Sequence, residues 1–149
     1  MSAAFSVLFA EHYGPALRGA YLMTSSEAVA EDIVQDAFRQ VLERWASIDR
    51  PVGYLWRAIT NGARSWGRHE RRLPPPLLIA AENTPPFDSN VLAVRGALGQ
   101  LPIAQRQALV LRHYLGMRER EIASAMGCPI GTVRSHLRRG SNRMRKALS

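Results

Sequence analysis

Glu119-Arg120-Glu121-Ile122-Ala123-Ser124-Ala125-Met126-Gly127-Cys128-Pro129-Ile130-Gly131-Thr132-Val133-Arg134-Ser135-His136-Leu137 has the pattern of two short helices joined by a tight turn. Ala123 is small enough to let the helices approach closely. Gly127 suits a left-handed turn residue, and Val133, four residues after Pro129, anchors the second helix. That helix then carries Arg134, Arg138, Arg139, Arg143, Arg145 and Lys146. A cationic helix after such a turn is suited to a DNA groove. The pattern points to DNA contact without saying what the contact is for.

Working back from this motif, helical periodicity continues almost throughout, with no useful run of strand alternation. A first helix is predicted from about Ala4 to Met23, with Phe5, Leu8, Phe9, Leu17, Ala20 and Tyr21 on its apolar side and Pro15 bending or dividing it. Thr24-Ser25-Ser26-Glu27 has the form of a capping box, with Thr24 as the cap. A second helix runs to about Trp45, its inner face formed by Ala30, Ile33, Val34, Ala37, Val41 and Trp45. Pro51 opens a third, extending to about Arg71. One stripe of it is Val52, Leu55, Ile59, Ala63 and Trp66; another is Arg57, Arg64, Arg68 and Arg71.

Five prolines and little charge mark residues 73–89 as a tether, although Leu77, Leu78 and Ile79 also allow a buried meander. Beyond it come a short helix ending near Leu101-Pro102, a helix from Ile103 to Tyr114, and the helix-turn-helix. Leu98, Leu101, Leu109, Val110, Leu115, Ile122, Met126, Val133 and Leu137 form their expected core. The expected fold is all-α: two small helical domains, residues 1–72 and 91–149, joined by a proline-rich linker over 73–90.

Charge is segregated along the chain. Residues 1–49 hold three Arg against seven acids, residues 50–73 six Arg against one acid, and residues 95–149 eleven basic groups against two acids. Such blocks imply partners of opposite charge, or else a merely solvated basic surface. The single cysteine, Cys128, excludes an internal disulfide, and the four histidines lack metal-ligand spacing. No apolar run is long enough to span a bilayer, and no basic stretch precedes an apolar core at the N-terminus, so neither a membrane span nor a leader is expected. A cytoplasmic setting follows. Nucleophile elbows, phosphate-cradling loops and paired metal-binding histidines are also missing, so no catalytic residues, metal or cofactor are expected.

Two surfaces remain. Glu27, Glu31, Asp32 and Asp36 cluster on one arc of the second helix, with Gln35 and Phe38 beside them. Like charges four apart cost a helix a few tenths of a kcal/mol, which suggests a basic protein partner. For Glu27 and Glu31 the preference of acids for a helix N-terminus is an equal explanation. On the third helix, the Arg stripe could follow phosphates. Tyr54, Trp56 and Trp66 could stack on unpaired bases, or the tryptophans could be core.

In order and spacing, three blocks resemble a bacterial sigma factor of the sigma-70 family: Ala30-Glu31-Asp32-Ile33-Val34-Gln35-Asp36-Ala37-Phe38, then Tyr54-Leu55-Trp56-Arg57 with Asn61-Gly62-Ala63-Arg64, then Gly131-Thr132-Val133-Arg134-Ser135. More narrowly they resemble the compact extracytoplasmic-function type, which keeps the second and fourth conserved regions. The resemblance covers about residues 5–72 and 91–148. It implies that Asp32, Gln35, Asp36 and Phe38 dock on the clamp helices of the polymerase β′ subunit. Ser47, Ile48, Asp49 and Arg50 would capture a flipped base of the minus-ten element, while Asn61, Arg64 and Arg68 hold the non-template single strand. Thr132, Arg134, Ser135, Arg138 and Arg139 would meet duplex DNA at the minus-thirty-five element.

The resemblance further implies a separate anti-sigma protein as regulator, and the free chain is expected to be a monomer. The sequence departs from the common family pattern at Ser65, often Asp, at His136, often Arg, and at Gly140-Ser141. Gly140 inside the reading helix predicts fraying or a bend beyond Arg139. Two other readings stay open: a stand-alone helix-turn-helix regulator that dimerises through its N-terminal half, and a protein that binds polymerase without starting transcription. The regulator needs neither an acidic docking face nor a strand-capturing helix; the polymerase-binding protein is told apart by run-off transcription, since only an initiator yields a promoter-defined transcript.

Overall fold

The computed structural model describes residues 3–70 and 89–148. The predicted tether up to residue 88, its alternative as a buried meander, and Arg71 lie outside them. The described residues form α1 (Ala3–Thr24), α2 (Glu27–Glu43), α3 (Pro51–Glu70), α4 (Ser89–Leu98), α5 (Ile103–Leu109), α6 (Glu119–Met126) and α7 (Ile130–Leu148), with no strand among them. A 3-10 turn, Trp45–Ser47, links α2 to α3, and α5 widens into a π turn, Val110–Tyr114.

The N-terminal unit is a three-helix packing of α1, α2 and α3. Pro15 does not divide α1. The residues after it, Ala16, Leu17 and Ala20, are all buried, and that packing outweighs one lost backbone hydrogen bond. The cap of α2 also differs from expectation. Ser26, two residues beyond Thr24, accepts from the Val29 N–H at 3.2 Å, while the Thr24 hydroxyl turns back to donate to the Ala20 carbonyl at 2.9 Å. With Ser25 at φ 61°, the cap falls two residues later than the capping pattern suggested. Ala30, Val34, Ala37 and Val41 of α2 then meet Leu55, Ile59 and Ala63 of α3, each 0–1% exposed.

Ile59→Ala is therefore expected to cost about 2–5 kcal/mol, visible as a lowered urea midpoint. A loss below about 1 kcal/mol would mean that this site relaxes around the cavity or is not core.

The C-terminal unit is α4 to α7. Glu121 accepts from the Arg118 N–H at 2.9 Å and so fixes the start of α6; Gly127, at φ 67°, ends it in the left-handed conformation. Ile122 and Val133, both 0% exposed, hold α6 against α7. Gly140 neither frays nor ends α7, which continues to Leu148. The residue is buried, and a Cβ there would lie 3.0 Å from Leu109 Cδ1 and 3.4 Å from Gln105 Cβ. Gly140 is where α5 crosses α7 so closely that a larger residue would have to push Leu109 aside. Its packing role offsets its poor helix propensity.

The two units pack directly on each other and share one hydrophobic cluster. The seam runs mainly from α3 to α5 and α6, and from α1 to α4 and the π turn. Each unit lends the other an arginine at a helix end. Arg106 of α5 donates to Met23 O in the last turn of α1 at 2.6 Å, and Arg64 of α3 donates to Met126 O, the last residue of α6, at 2.5 Å. Helix C-termini present unsatisfied carbonyls and partial negative charge, so a guanidinium is well suited to them.

Gln107, 0% exposed, donates to Thr60 O at 2.8 Å, and Arg18 and Arg95 donate to the hydroxyls of Tyr114 and Tyr21. The seam also buries mismatches. Thr60 Oγ1, Gln107 Oε1, Gln105 Oε1 and Arg106 Nε are buried without a hydrogen-bond partner among the described residues. Burial lowers the pKa of Arg106, although a guanidinium remains charged.

Candidate docking and nucleic-acid surfaces

The acidic face of α2 is solvent-exposed at Asp32, Gln35 and Asp36. Asp36 is held on its own helix: Arg39 donates to Oδ1 at 2.5 Å and Gln40 to Oδ2 at 2.7 Å. These bonds, Arg39 first, keep its carboxyl below the ordinary carboxylate range, so it is ionised at any physiological pH. Phe38 is only 3% exposed. Its ring meets Phe9 at 4.9 Å and Tyr13 at 6.1 Å between centroids, so it forms a floor instead of projecting. Phe5, Phe9, Phe38 and Leu42 line a groove of about 380 Å³ between α1 and α2, with Gln35 and Arg39 also lining it. Phe9 and Leu42 are 41% and 38% exposed. This apolar groove beside the acids had a sequence signal in Phe5 and Phe9, which periodicity assigned to the inner side of α1, and in Phe38, expected to project in the docking face.

The strand-capturing surface divides. Ser47, Asp49 and Arg50 are exposed in the turn before α3, and Ile48 is half-buried against the core. The Ser47 hydroxyl donates to Arg44 O at 3.0 Å. Asn61 and Arg68 are exposed on α3, with Arg68 reaching Ser65 Oγ at 3.4 Å. Arg64 is different: it is half-buried and spent on Met126 O across the seam. Trp56, at 4% exposure, is core and offers no face to a base, whereas Trp66 is half-exposed. The apolar stripe expected to carry Trp66 inward thus leaves it half-exposed, and Trp56, outside that stripe, is the core tryptophan. Trp56, Thr60, Arg64 and Gly67 form a second inward stripe on α3, turned toward the C-terminal unit. Tyr54 is half-buried beneath the Arg44 guanidinium, 5.9 Å from the ring centroid.

On α7, Arg134, Arg138 and Arg139 are exposed, and Thr132 and Ser135 are half-buried near its start. Arg134 Nε donates to Glu119 Oε1 on α6 at 2.9 Å. His136 is half-buried, and burial together with Arg139 pushes its imidazole below the ordinary 6.5. The neutral form is favoured in the fold. Its stabilising contribution is complete above the unfolded pKa and is lost as pH falls through the lower folded value. Ring-proton NMR should give His136 a midpoint below 6.5; a midpoint at or above 6.5 would contradict the burial argument.

Among the described residues, no cluster of His, Cys, Asp and Glu is arranged to hold a metal, and no helix is long and apolar enough to cross a membrane.

Two family models match the chain: Sigma-70 region 2 over residues 8–73 and Sigma-70, region 4 over residues 92–144. The extracytoplasmic-function (ECF) RNA polymerase sigma factor RpoE of Cereibacter sphaeroides is 31% identical, covering 99% of this chain and 87% of that protein. The chain belongs to the sigma-70 family, in its ECF type. The sigma factor CarQ of Myxococcus xanthus is 31% identical over 97% of the chain and 89% of its own length. The probable sigma factor RfaY of Xanthomonas campestris is 33% identical but longer, with 36% of it matched. Among solved structures, the sigma factor RpoE in complex with the anti-sigma factor NepR from Bartonella quintana has a TM-score of 0.79 at 25% identity, over 99% of this chain and 98% of that one.

This sigma factor binds core RNA polymerase and directs it to promoters. A region 2 unit ahead of the helix-turn-helix sets aside the stand-alone regulator.

Proposed function

We propose that the two units divide promoter reading as follows. Residues 1–72 dock on the β′ clamp helices through Asp32, Gln35 and Asp36, with Phe38 flooring the adjoining groove. The same unit takes the minus-ten element with Ser47, Ile48, Asp49, Arg50, Asn61 and Arg68, and with Arg64 once its bond to Met126 O is released. Residues 91–149 read the minus-thirty-five element with Thr132, Arg134, Ser135, Arg138 and Arg139, and residues 73–90 join the two. The observation that carries this reading is the exposure of Arg134, Arg138 and Arg139 along a helix seated by the left-handed turn at Gly127 and by buried Val133.

All the assigned contacts are binding contacts, with bond formation left to the polymerase in the cytoplasm. A separate anti-sigma protein is the proposed regulator, by analogy with the complex formed by the Bartonella relative.

Run-off transcription with reconstituted core polymerase tests the reading. The intact chain should yield a promoter-defined transcript. Arg139→Ala should weaken promoter binding by about 1–3 kcal/mol if its contact is bidentate to a base. Equal loss on a scrambled minus-thirty-five element would make it a phosphate clamp instead. A chain that binds polymerase yet gives no defined transcript would defeat the proposal.

A further inference from the structure

The C-terminal unit holds eleven basic residues and only two acids, Glu119 and Glu121, over residues 95–149. Both acids sit in the first turn of α6, at the helix-turn-helix. Glu121 has a structural task, accepting the Arg118 N–H at the helix start. Glu119 has no part in that cap. An extra carboxylate on a surface meant for phosphates weakens binding to DNA of every sequence. As a stability element it is also weak, because an exposed ion pair is worth about 0–1 kcal/mol. Its place in the first turn suits the helix dipole, worth about 0.3–1 kcal/mol, but the dipole does not select the partner that the carboxylate holds.

Glu119 reaches across the turn to Arg134, fifteen residues away, where Oε1 accepts from Nε at 2.9 Å. The carboxylate side chain is 32% exposed and therefore partly shielded from water, while that of Arg134 is 66% exposed. The bond uses the Nε–H edge of the guanidinium. The two terminal nitrogens are left for other partners, and these can form a parallel pair of bonds to guanine O6 and N7. A guanidinium on a flexible stem otherwise loses rotamer freedom when it meets the base. Fixing one edge beforehand lowers that loss for the base that accepts the fork.

We propose that Glu119 is a positioning residue. It holds the Arg134 guanidinium so that its free fork discriminates one base of the minus-thirty-five element, giving up some general DNA affinity for selectivity. The inference rests on the assignment of Arg134 to that element.

The test is run-off transcription by the full chain with core polymerase, on a template library randomised across the minus-thirty-five element, together with binding to a scrambled control. Arg134→Ala should erase preference at one base position. Glu119→Ala should reduce preference at that same position about tenfold, yet tighten binding to scrambled DNA. Glu119→Gln, which keeps an acceptor oxygen, should recover most of the preference.

If Arg134→Ala erases the preference while Glu119→Ala leaves it intact, the positioning role is overturned and the assignment of Arg134 survives. If Arg134→Ala changes no position, the assignment itself fails and the inference falls with it. Uniform loss across all sequences with Glu119→Ala, accompanied by a lower melting temperature, would show a purely structural ion pair and would also overturn the proposal.

Discussion

A disulfide between positions 67 and 103 is expected to silence this sigma factor, and reduction to restore it. Gly67 of α3 faces Ile103 of α5 across the seam, and a Cβ at Gly67 would lie 3.5 Å from Ile103 Cβ. That separation is within the range of natural disulfides. The pair Gly67→Cys and Ile103→Cys, in a Cys128→Ser background, would tie the two units together. Cys128 is half-buried with its thiol pKa pushed up by burial, so it is a poor competitor and its replacement should cost little.

The reason for silencing is length. Elements centred near minus ten and minus thirty-five are separated by about 25 base pairs, or about 85 Å at 3.4 Å each. A compact chain of 149 residues has a radius of gyration of about 15 Å and is about 40 Å across. The closed arrangement cannot touch both elements at once. Eighteen residues between α3 and α4 reach about 60 Å when extended, enough to part the units once the seam opens. Run-off assays of oxidised and reduced protein give the comparison. Equal transcription by a fully oxidised sample, verified on a non-reducing gel, would show that the seam need not open.

Reversing the charge at Asp36 should remove polymerase association almost entirely. Asp36→Arg places a cation in the acidic face proposed to meet a basic partner, and like charges brought together at an interface cost several kcal/mol. Several kcal/mol corresponds to a loss of about 100-fold or more in affinity. The fold should tolerate the change. Asp36 is exposed, and the new Arg would meet Arg39 one turn on at a cost of only a few tenths of a kcal/mol. Co-purification with core polymerase measures the effect, with Glu11→Gln, an exposed acid on α1 outside that arc, as the control. Association unchanged by Asp36→Arg would move docking away from this face.

Local pattern carried much of this fold. Gly127 and Val133 located the helix-turn-helix, and Pro51 located the start of α3, because each depends on a few neighbouring residues. Where the outcome depended on distant packing, the pattern pointed elsewhere. Gly140 reads as a weak point in an isolated helix and becomes a contact only when Leu109 lies across it. Trp56 and Trp66 are equally hydrophobic; the second buried face of α3 decides between them. Phe38 sits among acids in sequence but under Phe9 and Tyr13 in space.

The seam was the least legible feature, because its key residues are polar. Thr60, Gln105, Arg106 and Gln107 offer no hydrophobic period. The one available clue was Thr60, four residues after Trp56 on a helix whose apolar stripe already had a full set.

Those polar residues also set how firmly the closed form is held. Four buried polar atoms in and beside the seam lack partners among the described residues, and a buried unsatisfied group costs about 1–3 kcal/mol. Opening the units would return those that lie across the contact, at Thr60, Arg106 and Gln107, to water. These mismatches make the closed state shallower than a fully satisfied seam would be, and its depth acts as a threshold on recruitment. Each 1.4 kcal/mol by which closure is favoured makes the open population about tenfold scarcer and weakens apparent polymerase affinity by the same factor. A change as small as Thr60→Val, which removes a stranded hydroxyl and keeps the backbone carbonyl that Gln107 bonds, would raise that threshold. The amount of this sigma factor needed to claim a polymerase is thus written into the mismatches of its own seam.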